Sequence, residues 1–262
     1  MPTLAEFRNA IQAPVGVTPH PYGVDSVVAA TTPGDPHWMA GVEWTSNVCG
    51  GARYTTASVC DDATDNFTLD RWCKLMGFDP FTVYSWSETS TFSGRNEGGE
   101  AQAIDRLRAG EQAAVEMRLR ELLAAAVPSP TAVAVSTYAG TEKLLGGLAF
   151  VESKLRGQYP GNGVIHLDVF GASLLSAYLR PQGNRLLTAL GTPVAVEASA
   201  GDLAATVPTT STIYGTGPLV LFRGTEDVTT VLNRDVNDWI GQASRTYIVG
   251  WDCVAVGATV TL

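Results

Sequence analysis

Three histidines are the pool for general acid–base chemistry in this chain. His20 and His37 stand in Pro19-His20-Pro21 and Pro36-His37-Trp38 and read as loop residues. His166 lies in the alternating run Val164-Ile165-His166-Leu167-Asp168-Val169, so Asp168 falls on the same face of a strand. A His–Asp pair could orient a base, but no Ser or Cys nucleophile is placed beside it by sequence, and a structural hydrogen bond is the expectation. Asp61-Asp62-Ala63-Thr64-Asp65-Asn66 could hold a hard cation, but it lacks the glycine and closing Glu of a calcium loop and reads as a solvated loop. Cys49, Cys60, Cys73 and Cys253 contain no C-x-x-C pair. Free or buried thiols are expected ahead of a disulfide, and zinc held by the three N-terminal cysteines with His37 comes last.

The motif search is otherwise empty. There is no G-x-x-x-x-G-K-[ST] phosphate loop, no H-E-x-x-H and no G-x-S-x-G. Gly161-Asn162-Gly163 precedes a strand, where a dinucleotide fingerprint would follow one, and reads as a turn. No catalytic residue, metal or cofactor is therefore assigned. Lys plus Arg number 17 against 26 Asp plus Glu, a formal charge of −9 with a pI near 4.8. Only Lys74, Lys143 and Lys154 are lysines, so the basic stripe that grips phosphates is missing and tight nucleic-acid binding is not expected. No apolar run reaches the 18 or so residues of a membrane span, and the N-terminus lacks the order of a signal peptide. A soluble protein made in the cytoplasm is expected. At 262 residues and 45% hydrophobic content, the chain can bury a core without disulfides or metal.

The elements that would position these residues divide into an irregular first third and a regular remainder. Pro2, Pro14, Pro19, Pro21, Pro33, Pro36 and Pro80 punctuate the start, though Phe78 to Trp86 and Val24 to Ala30 alternate as strands do. The same segment carries Trp38, Trp44, Tyr54, Phe67, Trp72, Phe78, Phe81, Tyr84 and Trp86, too many large apolar groups for a disordered linker. Extended arms and loops that bury aromatics against a neighbouring subunit reconcile the two facts. A long helix follows from Gly98 to Val127, with Ile104, Leu107, Ala114, Val115, Leu119, Leu122 and Ala126 on one face. A second helix is expected at Thr141–Arg156, a strand at Val164–Val169 and a short helix at Phe170–Leu179 with Phe170, Leu174, Leu175 and Tyr178 inward. Later strands are expected at Val194–Val196, Leu219–Phe222, Val228–Leu232, Arg245–Trp251 and Val254–Leu262. The pattern is α+β, helices early and strands late.

This order of elements resembles the Hong Kong 97 fold, shared by tailed-phage major capsid proteins and encapsulins. The stretch Gly163-Val164-Ile165-His166-Leu167-Asp168-Val169-Phe170-Gly171-Ala172 through Leu179 carries the resemblance. So do Leu186-Leu187-Thr188-Ala189-Leu190-Gly191-Thr192-Pro193-Val194 and Ile213-Tyr214-Gly215-Thr216-Gly217-Pro218-Leu219-Val220-Leu221-Phe222. Ala101 to Glu116 looks like the start of the spine helix in virion proteins of phages that infect actinobacteria. The resemblance covers residues 98–262; residues 1–97 match by position alone.

The resemblance implies an N-terminal arm at 1–39, an extended loop region at 40–97 and a peripheral domain at 98–162 built on the 98–127 spine helix. It further implies an axial domain at 163–225 and return strands of the peripheral domain at 226–262. It implies a structural virion protein without enzymatic activity, assembled in the host cytoplasm into pentamers and hexamers of an icosahedral capsid. The partners would be the chain itself, with scaffold, portal or decoration proteins, and packaged double-stranded DNA touched only non-specifically. Trp38, Trp44, Trp72 and Trp86 would be inter-subunit contacts. Lys74 stands where a Lys–Asn cross-link donor would lie, with Asn162, Asn233 or Asn237 as acceptors, though a solvated lysine is the expectation. An encapsulin-like compartment shell or a minor head or tail protein of the same fold is the alternative, and a small enzyme using His166 and Asp168 the second.

Overall fold

The computed structural model describes residues 20–45, 75–90, 99–133, 141–198, 209–233 and 238–262. Two sheets organise it. Strands β3 (Phe81–Ser90), β10 (Leu219–Asn233) and β11 (Asp238–Trp251) form an antiparallel sheet in the order β10-β11-β3. A seven-stranded mixed sheet runs β4 (Thr131–Ala132), β12 (Ala255–Thr261), β9 (Thr210–Thr216), β5 (Val164–Asp168), β8 (Pro193–Glu197), β7 (Arg185–Leu187), β6 (Arg180–Gln182). A two-stranded ribbon of β1 (Val42–Thr45) and β2 (Leu75–Phe78) precedes β3.

Helix α2 (Gly99–Ala126) spans about 42 Å at 1.5 Å per residue. Ala103, Leu107, Val115, Leu119 and Leu123 recur at multiples of four and are buried, so one stripe faces the three-stranded sheet. The sheet meets it with small residues. Ala243 is fully buried, Ser85 Oγ donates to Ala103 O at 2.5 Å, and Ser87 Oγ donates to Gln102 Oε1 at 2.7 Å. Gly241 sits under the start of the helix, where a Cβ would come within 2.5 Å of the Gly99 carbonyl carbon. This packing gathers one core that includes Phe78, Tyr247, Ile248, Val249 and Trp251.

A second core lies between helix α3 (Thr141–Gln158) and the seven-stranded sheet. Leu144, Leu148, Val151 and Leu155 at three- and four-residue steps meet Ile165, Leu167, Ile213 and Val260. Gly147 lets the helix down onto Val260, and Gly215 makes room for Val151. β5 and β8 are parallel neighbours, joined through helix α4 (Val169–Leu174) and the β6–β7 hairpin.

Several expectations are corrected here. Val24 to Ala30 is not a strand: Val24–Val27 is a helical turn, α1, closed by Ser26 Oγ donating to Gly23 O at 2.7 Å. The helix expected through Leu179 stops at Leu174, and a 3-10 turn over Ser176–Tyr178 turns Tyr178 outward and Leu179 inward. Leu219–Phe222 and Val228–Leu232 are one strand, continuous through an irregularity between Arg223 and Glu226. Phe78 to Trp86 is instead two strands, ending at Phe78 and restarting at Phe81 around Asp79-Pro80, because proline cannot donate to a ladder.

The sheets also group the chain differently from its linear division. α3 packs on β9 and β12, and β12 lies between β4 and β9. One unit therefore gathers α3, α4 and β4 to β9 with β12, and the other gathers β3 and α2 with β10 and β11, across the boundaries at 162 and 225. Replacing Gly241 with Ala should push α2 off the three-stranded sheet and cost about 1–3 kcal/mol, since backbone rather than a flexible side chain must move. Chemical denaturation of the variant against the parent chain measures it.

Candidate functional site: the polar junction between the sheets

The polar flank of α2 reaches both sheets, and its C-terminal half meets the seven-stranded one. Arg120, one turn after Glu116, reaches the ends of β5 and β8. Its Nη2 donates to Thr212 O at 3.0 Å and lies 3.5 Å from Asp168 Oδ2, while Nη1 lies 3.5 Å from Glu197 Oε2. Glu197 is fully buried, and Oε2 and Nη1 are otherwise without a hydrogen bond, so this ion pair is what compensates both. Tyr214 lies beneath the guanidinium, 5.7 Å from ring centroid to carbon.

His166 completes this cluster from inside the sheet. It is fully buried, with Nδ1 hydrogen-bonded to Glu197 Oε1 at 2.5 Å. Its Nε2 is hydrogen-bonded to Thr216 Oγ1 at 2.9 Å, and that hydroxyl also lies 2.8 Å from Gly217 O. The histidine thus ties β5 to β8 on one side and to β9 on the other. The expected His166–Asp168 pair is not formed. Asp168 instead caps α4 by accepting from Gly171 N at 2.5 Å and takes Ser211 Oγ at 3.2 Å. Strand parity put both residues on one face, but the helix that starts at Asp168 claims its carboxylate.

A second buried carboxylate, Glu116, joins three segments. Its oxygens accept from Val24 N at 3.2 Å, Gln112 Nε2 at 2.9 Å and Ala198 N at 2.8 Å. Burial raises its pKa, and the bonds from Ala198, Gln112 and Val24 oppose that rise. The segment around α1 is bonded to β8 as well, through Val196 N donating to Tyr22 O at 2.8 Å, and to β10, through Thr31. A third cluster lies nearer the helix start: Glu111 accepts from Arg245 and from Tyr247 Oη, the latter at 2.7 Å, and Arg245 Nη2 donates to Glu226 at 2.9 Å. Burial, reinforced by Glu111, pushes the Tyr247 hydroxyl up to about 12, although Arg245 pulls it down.

Glu111, Glu116, Arg120 and Glu197 were not singled out from the sequence. The available signal was charge beside the apolar stripe of the long helix, since Glu116 follows Val115 and Arg120 follows Leu119. The other sequence-selected residues are scattered. His37 is exposed and bonded to Asp35 at 2.5 Å, and His20 offers its carbonyl to Gln112 at 3.3 Å. Cys253 is disulfide-bonded, which corrects the free-thiol expectation for that residue. Cys49, Cys60 and Cys73, the acidic run 61–66, Trp72 and Lys74 lie outside the described residues, as do Asn237 and the side chain of Asn233; Asn162 is exposed in the turn after α3. Trp38 is nine-tenths buried in its own chain, with its ring 6.2 Å from that of Phe222, and Trp44 stacks on Phe78 at 5.0 Å. Trp86 is 54% exposed. Among the described residues no group of three or more His, Cys, Asp or Glu side chains could hold a metal ion, and no helix is long and apolar enough to cross a membrane.

Arg120→Leu leaves the buried Glu197 Oε2 without its partner and should cost about 3 kcal/mol or more in a denaturation measurement. Tyr247 gives a pH signature. A hydroxyl whose folded pKa is raised stabilises the fold fully below its unfolded pKa near 10, and that stability is lost as pH rises through about 12. Tyr247→Phe should therefore flatten the stability profile between pH 10 and 12, as read by denaturation at stepped pH.

No protein-family model matches the sequence, and no curated protein matches it. Solved structures do. A protein of Mycobacterium phage Che8 superposes with a TM-score of 0.52 at 10% identity, covering 98% of both chains. The capsid of Ralstonia phage GP4 gives 0.51 at 10% identity, covering 98% of this chain and 96% of that one. The virus-like particle from Pyrococcus furiosus gives 0.50 at 10% identity over 84% and 86%. The chain has the α+β Hong Kong 97 fold of phage capsid and encapsulin shell subunits.

Proposed function

We propose that the protein is a structural subunit of an icosahedral phage capsid that encloses double-stranded DNA, self-assembling through pentamers and hexamers. The observation that carries this reading is end-to-end coverage: the likeness to the two phage structures extends over 98% of the chain and nearly all of theirs. The compartment-shell alternative is not better supported than this reading. The three-stranded unit with α2 takes the peripheral role and the seven-stranded unit with α3 the axial one. In this reading the protein has no catalytic role, and the full burial of His166 against Glu197 and Thr216 supports that by removing the candidate base from any substrate.

The acidic balance suits a shell whose inner surface must not hold packaged DNA tightly, because like charge keeps the duplex mobile. Assembly takes place in the host cytoplasm, with scaffold and portal proteins as natural partners, and the assembled form resides in the virion. Identical subunits in closed symmetry repeat one set of contacts, so modest interfaces add up to a stable particle.

Negative-stain electron microscopy with light scattering on the purified full-length protein tests the proposal. Closed shells, or rings of five and six subunits, are the expected result. A monodisperse monomer that stays monomeric across protein concentration and salt overturns self-assembly. His166→Ala adds a second arm: it should lower stability by leaving the buried Glu197 Oε1 without its hydrogen bond, with shells still forming below the shifted melting temperature.

A further inference from the structure

The two faces of the three-stranded sheet are treated very differently by the chain. The inner face, with Ser85, Ser87, Gly241 and Ala243, lies under α2. The outer face is covered at one end only. There Trp38 packs by Phe222 and Gly224, and Phe78 lies on Gly250 with Trp44 stacked behind it. Beyond that end no described residue covers it. Register places Trp86 opposite Gln242 and Gln242 opposite Thr229, with Glu88, Ile240 and Val231 in the next row and Tyr84, Ser244 and Asp227 in the row before. Tyr84 is 65% exposed, Trp86 54% and Val231 60%.

We propose that this half of the outer face, centred on Tyr84 and Trp86 and backed by Ile240 and Val231, is a contact surface for a second copy of the chain. The inference rests on the shell reading and deepens it by naming the surface. Three observations select a second copy. First, the side chains of the patch rows include Glu88 and Asp227 and no cation, and the one guanidinium at its edge, Arg106, is engaged by the Trp86 carbonyl at 2.7 Å, which disfavours nucleic acid and anionic lipid. Second, it is small. Three strands at about 4.8 Å and five residues at about 3.3 Å give roughly 240 Å² a side, so roughly 500 Å² over two partners. That is well under the ~1,200 Å² of a free-standing complex, and it fits a partner that other contacts also hold, as in a shell. Third, the patch continues a strip that Trp38, Trp44 and Phe78 of the same chain already cover, so aromatic packing on this face is the fold's own habit. Trp and Tyr at such a place are the residue types that concentrate contact energy.

Hydroxyl-radical footprinting of the full-length protein, free and assembled, reads the side chains directly. Oxidation of Tyr84 and Trp86 should slow by about five-fold or more on assembly. The double change Tyr84→Glu and Trp86→Glu should leave the melting temperature of the free subunit nearly unchanged, because both rings are exposed, and should shift the protein from assembled to free by about ten-fold or more in concentration. If wild-type shells form with both rings oxidised as fast as in the free subunit, and the double variant assembles equally well, the contact is overturned while the shell reading stands. Protection that appears only when a different protein is added also overturns it. Failure of the wild-type protein to assemble at all overturns both.

Discussion

The ion pair between Arg120 and the buried Glu197 is the interaction on which the relation of the two sheets depends. The core under α2 runs on into the seven-stranded sheet through Val164, Ala195 and Tyr214, so apolar packing joins the two units as well. Hydrophobic burial is non-directional and would leave the two units free to slide. A guanidinium held at 3.5 Å from two carboxylates, Asp168 at the end of β5 and Glu197 at the end of β8, is directional and defines one position. Because Glu197 is fully buried, losing that position means stranding a charge, so the junction is costly to leave even though forming it adds little net stability.

Glu116 extends the same logic to the N-terminal segment. A carboxylate placed one helical turn before Arg120 takes backbone N–H groups from α1 and from the residue after β8. The chain from Tyr22 to Thr32 therefore bonds to α2, to β8 and to β10 in turn. A Cβ at Gly23 would fall within 2.2 Å of both Gln112 Nε2 and Glu116 Oε1, so a side chain there would have to displace this pair. The long helix is thus a two-sided rod, with an apolar stripe on the shared core and a charged flank whose Glu111 binds one sheet and whose Arg120 binds the other. A subunit that must repeat the same angle in every copy of a closed particle needs that angle specified by directional contacts.

The surface divides along the same lines. Where the outer face of the three-stranded sheet lies near the β1–β2 ribbon, the chain's own aromatics cover it, and where the β10–β11 hairpin runs on beyond them the rings stand in solvent. Trp38, Trp44 and Trp86 looked alike as aromatics of an irregular segment, yet two pack against their own chain and one is exposed. Nothing in residue type separates them; the difference is the position of each along the sheet.

The sequence by itself determined the elements whose cause is local. The 28-residue helix is legible in its four-residue apolar steps, α3 in its leucines and valine, and β5 in its alternation, because each of these patterns reflects one face turned to a core. The order of those elements was enough to bring the Hong Kong 97 fold to mind, and the glycines at 147, 215 and 241 carry the close approaches that the packing needs. Tertiary structure alone decided what the polar residues do. His166 and Asp168 share a strand face by parity, but Glu197, 31 residues after His166, and Arg120, 48 residues before Asp168, claim them instead. Local pattern reports which way a side chain points, whereas the partner of a charge is set by which strands the sheet brings side by side, and no spacing along the chain encodes that.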